Sequence, residues 1–131
     1  MEFFSKKKIS LGEAGEDLAC QWLKSHGFTV IARNYQNQSG RRLGEIDIIA
    51  RDRGSQELVF VEVKTRNFHY LNTLPEENIT YTKLRRLARI AEDYLRHHPR
   101  ENAAYRFDAI AIWLDPMSQK HEIRHLPSIF L

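Results

Sequence analysis

A chain of 131 residues is long enough for one domain with one core, and 42% hydrophobic against 28% charged is a globular balance that excludes an intrinsically disordered chain. The net charge of +3 favours an anionic partner only mildly, and Cys20, the single cysteine, excludes an internal disulfide and a cysteine-built zinc site. No stretch approaches the ~20 apolar residues that span a bilayer, and the start "MEFFSKKKIS" lacks the apolar core of a secretory signal, so a cytoplasmic protein with no membrane partner is expected.

Residues 1–8 read as a loose basic tail and 9–131 as one domain. "SLGE", Ser10 to Glu13, is a capping box, and Leu11, Ala14, Leu18 and Trp22 recur at helical spacing until Gly27 stops the run, which predicts a helix over about 10–26. "FTVIARNY" (28–35) predicts a first strand and "NQSGRR" (37–42) a turn. A second strand is expected over about 43–51 and a third over about 57–65, joined by "DRGSQ" into an antiparallel meander.

Residues 66–79 carry no periodicity and contain Pro75; so long a connection in a compact domain is more often functional than idle. Leu84, Leu87, Ala88, Ala91, Tyr94 and Leu95 form a second helical stripe ended at Pro99. "YRFDAIAIWL" (105–114) predicts a fourth strand, parallel to the third across the helical crossover, and "HEIRHL" (121–126) a short edge strand. The fold class is α/β, a mixed sheet in the order α-β-β-β-α-β-β flanked by helices.

Three charges interrupt the apolar strands. A carboxylate or ammonium inside a buried strand costs several kcal/mol unless it is compensated. Alternation puts Leu58, Phe60, Glu62 and Lys64 on one face of the third strand, and Glu45, Asp47 and Ile49 together on the second, opposite Ile46, Ile48 and Ala50. If the register agrees, Asp47 comes beside Glu62. Two close carboxylates repel, and a divalent cation with hard oxygen ligands resolves that conflict. Lys64 is then placed to orient a metal-bound water or to stabilise charge on a phosphate. Glu16 lies on the flank of the first helix's apolar stripe, angled toward the sheet, whereas Glu13, Asp17, Gln21 and Lys24 face solvent. The competing structural reading pairs Glu62 with Lys64 on an exposed strand face and leaves Glu16 on the helix surface. Asp108 reads as a buried partner for Arg33 or Arg106.

"GEAGEDLACQWLKSHGFTVIARNY", "LGEIDIIA" and "FVEVKTR" together resemble a widespread bacterial family of small nuclease-like proteins. That family is similar to archaeal Holliday junction resolvases, within the restriction-endonuclease-like superfamily. The resemblance runs from about Leu11 through the "RFDAIAIW" strand. Position by position, the superfamily's helix-one acid falls on Glu16, its strand-two aspartate on Asp47 and its Glu-x-Lys on Glu62 and Lys64. Ile46 stands where many members have proline. The resemblance implies a restriction-endonuclease-like fold and a Mg2+- or Mn2+-dependent site, with Asp47 and Glu62 as principal ligands, Glu16 as an additional one and Lys64 as the activating cation.

Lys83, Arg85, Arg86, Arg89 and Arg96 place a basic surface on the second helix, and Arg66 lies beside the charged strand; these are the candidate nucleic-acid contacts, with a solvated helix face as the alternative. Arg41, Arg42, Lys6, Lys7 and Lys8 add positive charge, and Phe68 and Tyr70 are candidates to stack on bases. Of the six histidines only His69, following the Lys64 strand, is a site candidate. Gly12, Gly15, Gly40 and Gly44 make no phosphate-binding loop. The expected activity is metal-dependent hydrolysis of DNA phosphodiesters, on branched or otherwise structured DNA. A nucleic-acid-binding module that does not cleave is the rival, and a homodimer is compatible with a pattern that leaves the oligomeric state open.

Overall fold

The structure is a computed structural model and describes residues 9–68, 80–101 and 104–129. The basic tail with Lys6, Lys7 and Lys8, and the candidates His69, Tyr70 and Pro75, lie outside the described residues. The elements are α1 (Leu11–Ser25), β1 (Phe28–Gln36), β2 (Glu45–Asp52), β3 (Leu58–Asn67), α2 (Tyr81–His97), a 3-10 turn (Pro99–Glu101), β4 (Tyr105–Leu114) and β5 (His121–Leu126). They form one five-stranded sheet in the spatial order β1-β2-β3-β4-β5, with β3 and β4 parallel and every other pair antiparallel. This is the α/β arrangement and element order that the sequence indicates, and it is consistent with an α/β nuclease-like fold.

α1 begins with the capping box: Ser10 Oγ accepts from the Glu13 amide at 3.1 Å while Glu13 Oε1 accepts from the Ser10 amide at 3.2 Å. Gly27, at φ +92°, takes the left-handed turn that leads into β1. α2 is capped by Thr80, whose Oγ1 accepts from the Lys83 amide at 3.1 Å. β2 begins two residues later than the apolar run suggests, because the Leu43 amide donates to Asn37 Oδ1 and still belongs to the turn. β3 runs on to Asn67, since β4 offers partners in register as far as Leu114.

Each helix covers one face of the sheet. Ala19, Cys20 and Leu23 of α1 pack on Ile48, Ala50, Val59, Val61, Val63, Ile110 and Ile112. Leu87, Ile90, Ala91 and Tyr94 of α2 pack on Ile46, Ile49, Leu58, Phe60 and Phe107. Fully buried aliphatic side chains such as Leu23, Ile48 and Ile90 each contribute roughly 1.5–3 kcal/mol relative to exposure. Strict alternation along β2 fails at one place. Ile46 packs with Ile49 on the α2 side rather than with Ile48 and Ala50, so the side-chain period slips at Asp47.

Two polar anchors hold the periphery. Asp93, 2% exposed on α2, accepts from the Gln38 and Ser39 amides and from Tyr35 Oη, tying the β1–β2 turn to the helix. Burial opposes its charge, but those donors outweigh it and hold Asp93 down at about 2. On the α1 side, Asp108 is fully buried and accepts from Arg106, His125 Nε2 and the Ser128 amide. Its partner is Arg106; Arg33 instead binds Asp17 at 2.9 Å in a pair that stays partly exposed. Among the described residues no helix is long and apolar enough to cross a membrane.

Candidate active site at the parting of β2 and β3

The β2–β3 ladder runs from Arg51 opposite Leu58 to Ile48 opposite Val61 and stops there. The next pair in that register is Asp47 with Glu62. β2 continues against β1, pairing Tyr35 with Ile46 and Gln36 with Glu45, while β3 continues against β4. The two central strands therefore part at the two carboxylates. The Val63 amide, free of any β2 carbonyl, donates to Asp47 Oδ2 at 2.8 Å. That bond fixes the Asp47 carboxylate in the fork.

Asp47 is mostly buried, and its pKa rises from the ordinary 3.8 to about 7. Desolvation is the largest cause and the Glu62 charge the next; the Val63 amide and Lys83 pull the other way. Glu62 is buried as well, at 7% exposed. Its Oε2 lies 2.6 Å from Lys83 Nζ and 3.6 Å from Lys64 Nζ, so two ammonium groups converge on one carboxylate oxygen. Burial and the neighbouring Lys83 cation lower the Lys64 pKa, with Glu62 opposing; Lys83 is raised by Glu62 against its own desolvation. Lys83 is thus the fixed cation of the pair and Lys64 the one that gives up its proton more readily.

On β4, Ala109 pairs with Glu62 and Ala111 with Lys64, so the β4 neighbours of both are small. α1 approaches the same end of the sheet through Gly15, which is buried; a Cβ there would overlap the Thr65 side chain. This close approach carries Glu16 to the fork, where its charge adds to the repulsion felt by Asp47. Glu16 Oε1 accepts from Asn34 Nδ2 at 3.2 Å and pairs with Arg33 at 3.4 Å, and Asn34 reaches Glu45 as well. Asn34 holds this bridging position in a left-handed conformation, φ +53°.

Of the residues singled out in the sequence, Asp47, Glu62 and Lys64 come together at the fork, with Glu16 at its margin tied to Arg33 and Asn34. Among the described residues no three His, Cys, Asp or Glu side chains form a group able to hold a metal ion by themselves. Two carboxylates supplemented by water still match the way magnesium is commonly held. Lys83, grouped in the sequence with the basic helix surface, belongs instead to the site. The signal was its spacing: Lys83, Leu87, Ile90 and Tyr94 are four residues on one helical stripe, so Lys83 faces the sheet with the apolar side chains. Arg85, Arg86 and Arg89 stay on the exposed face, Arg96 leans to Asp93 at 3.6 Å, and Arg66 is half-buried beside Trp113 near the end of β3.

Residues 15–112 match the profile of the uncharacterised protein family UPF0102. A UPF0102 protein of Caldicellulosiruptor saccharolyticus is 36% identical over 126 residues, covering 94% of this chain and 98% of its own. One from Leifsonia xyli subsp. xyli is 44% identical over 124 residues, covering 94% and 98%, and one from Symbiobacterium thermophilum is 46% identical over 102 residues, covering 78% and 80%. With three quarters of its length inside that profile and relatives matched nearly end to end, the chain belongs to the UPF0102 family.

Proposed function

We propose that this protein is a divalent-metal-dependent nuclease that hydrolyses phosphodiester bonds in DNA, related to the resolvase-like nucleases that its motifs resemble and acting in the cytoplasm. The observation that carries the reading is the fork itself. A fold gains nothing by burying two mutually repelling carboxylates where two strands part, whereas a cation-binding catalytic site needs both.

Asp47 and Glu62 would hold magnesium or manganese, with Glu16 close enough to bind through water. When bound, the ion would supply a Lewis acid and an acidified water, and would offset the burial and the Glu62 charge that raise the Asp47 pKa to about 7. The protein's own part is played by three groups. The Val63 amide keeps Asp47 Oδ2 oriented. Lys83 neutralises Glu62 and, by its charge, lowers Lys64. Lys64, its Nζ beside Glu62, orients the attacking water or lends its charge to the negative charge developing on the phosphate.

A module that binds nucleic acid without cutting it is the second reading. It is favoured by the two lysines already gathered on Glu62 Oε2 and by the lack of a three-ligand group among the described residues. The deciding experiment incubates purified protein with manganese and labelled linear, flapped and four-way DNAs. Cleavage of at least one, abolished by chelation and by Asp47→Ala, is expected. Binding without cleavage of any DNA supports the module instead.

A further inference from the structure

Between the end of the β1–β2 turn and the exposed face of α2 lies a cavity of about 470 Å³, lined by Leu43, Tyr81, Thr82, Arg85, Arg86 and Arg89. It is of the size that admits a small organic unit such as one nucleotide. Three of its six lining residues are arginines and none is acidic. Among the described residues no carboxylate pairs with Arg85, Arg86 or Arg89, unlike Arg33, Arg42, Arg96 and Arg106, which all do. The first turn of α2 has no acidic residue either, so the positive end of the helix dipole adds to the charge there.

Tyr81 adds a feature that phosphate binding does not require. Tyr81 is 74% exposed, and the Arg85 guanidinium lies over its ring, 5.8 Å from the centroid. An aromatic face turned to water and steadied by a cation is a platform for another flat ring. Bases inside a duplex are stacked on one another and have no free face to offer, whereas an unpaired base does.

We infer that this cavity receives an unpaired segment of nucleic acid, with one base stacked on Tyr81 and its neighbouring phosphates held by Arg85, Arg86 and Arg89. The substrate class is then a strand with a single-stranded stretch beside the bond to be cut. The position fits that role. Leu43 lies four residues before Asp47, and Tyr81 and Thr82 directly precede Lys83, whose ammonium touches Glu62. A strand seated in the cavity is led toward the fork. That last step rests on the nuclease reading; the binding mode does not.

The test is fluorescence anisotropy in chelator-containing buffer, using a labelled single-stranded DNA, the RNA of the same sequence and a blunt DNA duplex. Tyr81→Ala is expected to weaken binding of the single-stranded DNA, the RNA or both by roughly tenfold, the scale of one lost base stack, and duplex binding by less than about twofold. Tyr81→Phe, which keeps the ring, is expected to bind as the wild type does. Equal losses on single strand and duplex, no loss on either, or a wild type that binds no nucleic acid would overturn the inference. Since no metal is present and no cutting is read, a Tyr81 effect in a protein that cleaves nothing would refute the hydrolytic reading alone.

Discussion

Replacing Asp47 by asparagine tests the electrostatics of the fork without any assumption about substrate. Asparagine keeps the shape and still offers the Val63 amide an acceptor, so only the ionisable group is lost. In the fold Asp47 titrates at about 7, against 3.8 ordinarily. An acid whose pKa is raised by folding favours the folded state below the unfolded pKa, and that contribution is lost as pH rises through the folded one. At 1.36 kcal/mol per pKa unit the full swing is roughly 4 kcal/mol, and the shared repulsion with Glu62 brings the expected value to about 2–4 kcal/mol. Urea unfolding of both proteins in EDTA, at intervals from pH 4 to pH 8, measures it. Asp47→Asn should gain about 2–4 kcal/mol on the wild type across that range, most of it between pH 4 and pH 7. Parallel stability curves would refute the argument that burial and Glu62 together suppress the charge. A wild type that gains on the variant as pH rises would mean that Asp47 is paired with a cation.

Lys83→Met should lower stability at pH 7 by about 1–3 kcal/mol, less than the loss of a buried ion pair's sole partner because Lys64 also faces Glu62. Arg85→Met, on the exposed side of the same turn, should cost under about 0.5 kcal/mol; equal effects in urea unfolding would return Lys83 to the solvent-facing surface. Gly15→Ala forces a methyl group into Thr65 and should cost about 1–3 kcal/mol, with part recovered by adding Thr65→Ala. A thermal melt of Gly15→Ala matching the wild type would show that α1 does not need that close approach.

Local chemistry made the order of elements readable. Ser10 and Glu13 cap α1 through contacts within four residues, and Gly27 ends it by a backbone conformation that few other residues adopt. The antiparallel meander and the parallel return to β4 follow from the lengths of the connections. That Asp108 pairs with an arginine was readable, but the choice of Arg106 over Arg33 is made by the fold. What sequence could not supply were consequences of three-dimensional packing. The period slip that puts Ile46 beside Ile49 depends on where β2 leaves β3, a point set by both neighbouring strands rather than by β2 itself. The reason for Gly15 is Thr65, fifty residues away in sequence, which no local pattern reveals. Lys83 sat among arginines, and charge counting hid it; only its place on the Leu87, Ile90, Tyr94 stripe separates it from them.

The most direct measurement of the central claim is single-turnover cleavage by Lys64→Met beside the wild type, with manganese and saturating protein, on a DNA that the wild type cuts. Methionine keeps the apolar stem and removes the Nζ that lies 3.6 Å from Glu62. If Lys64 acts on charge that develops during reaction, as proposed, the rate should fall by roughly a hundredfold or more, while DNA affinity changes only a few-fold. A rate within a few-fold of wild type, or losses of rate and affinity in equal measure, would contradict the assignment of catalysis to this fork.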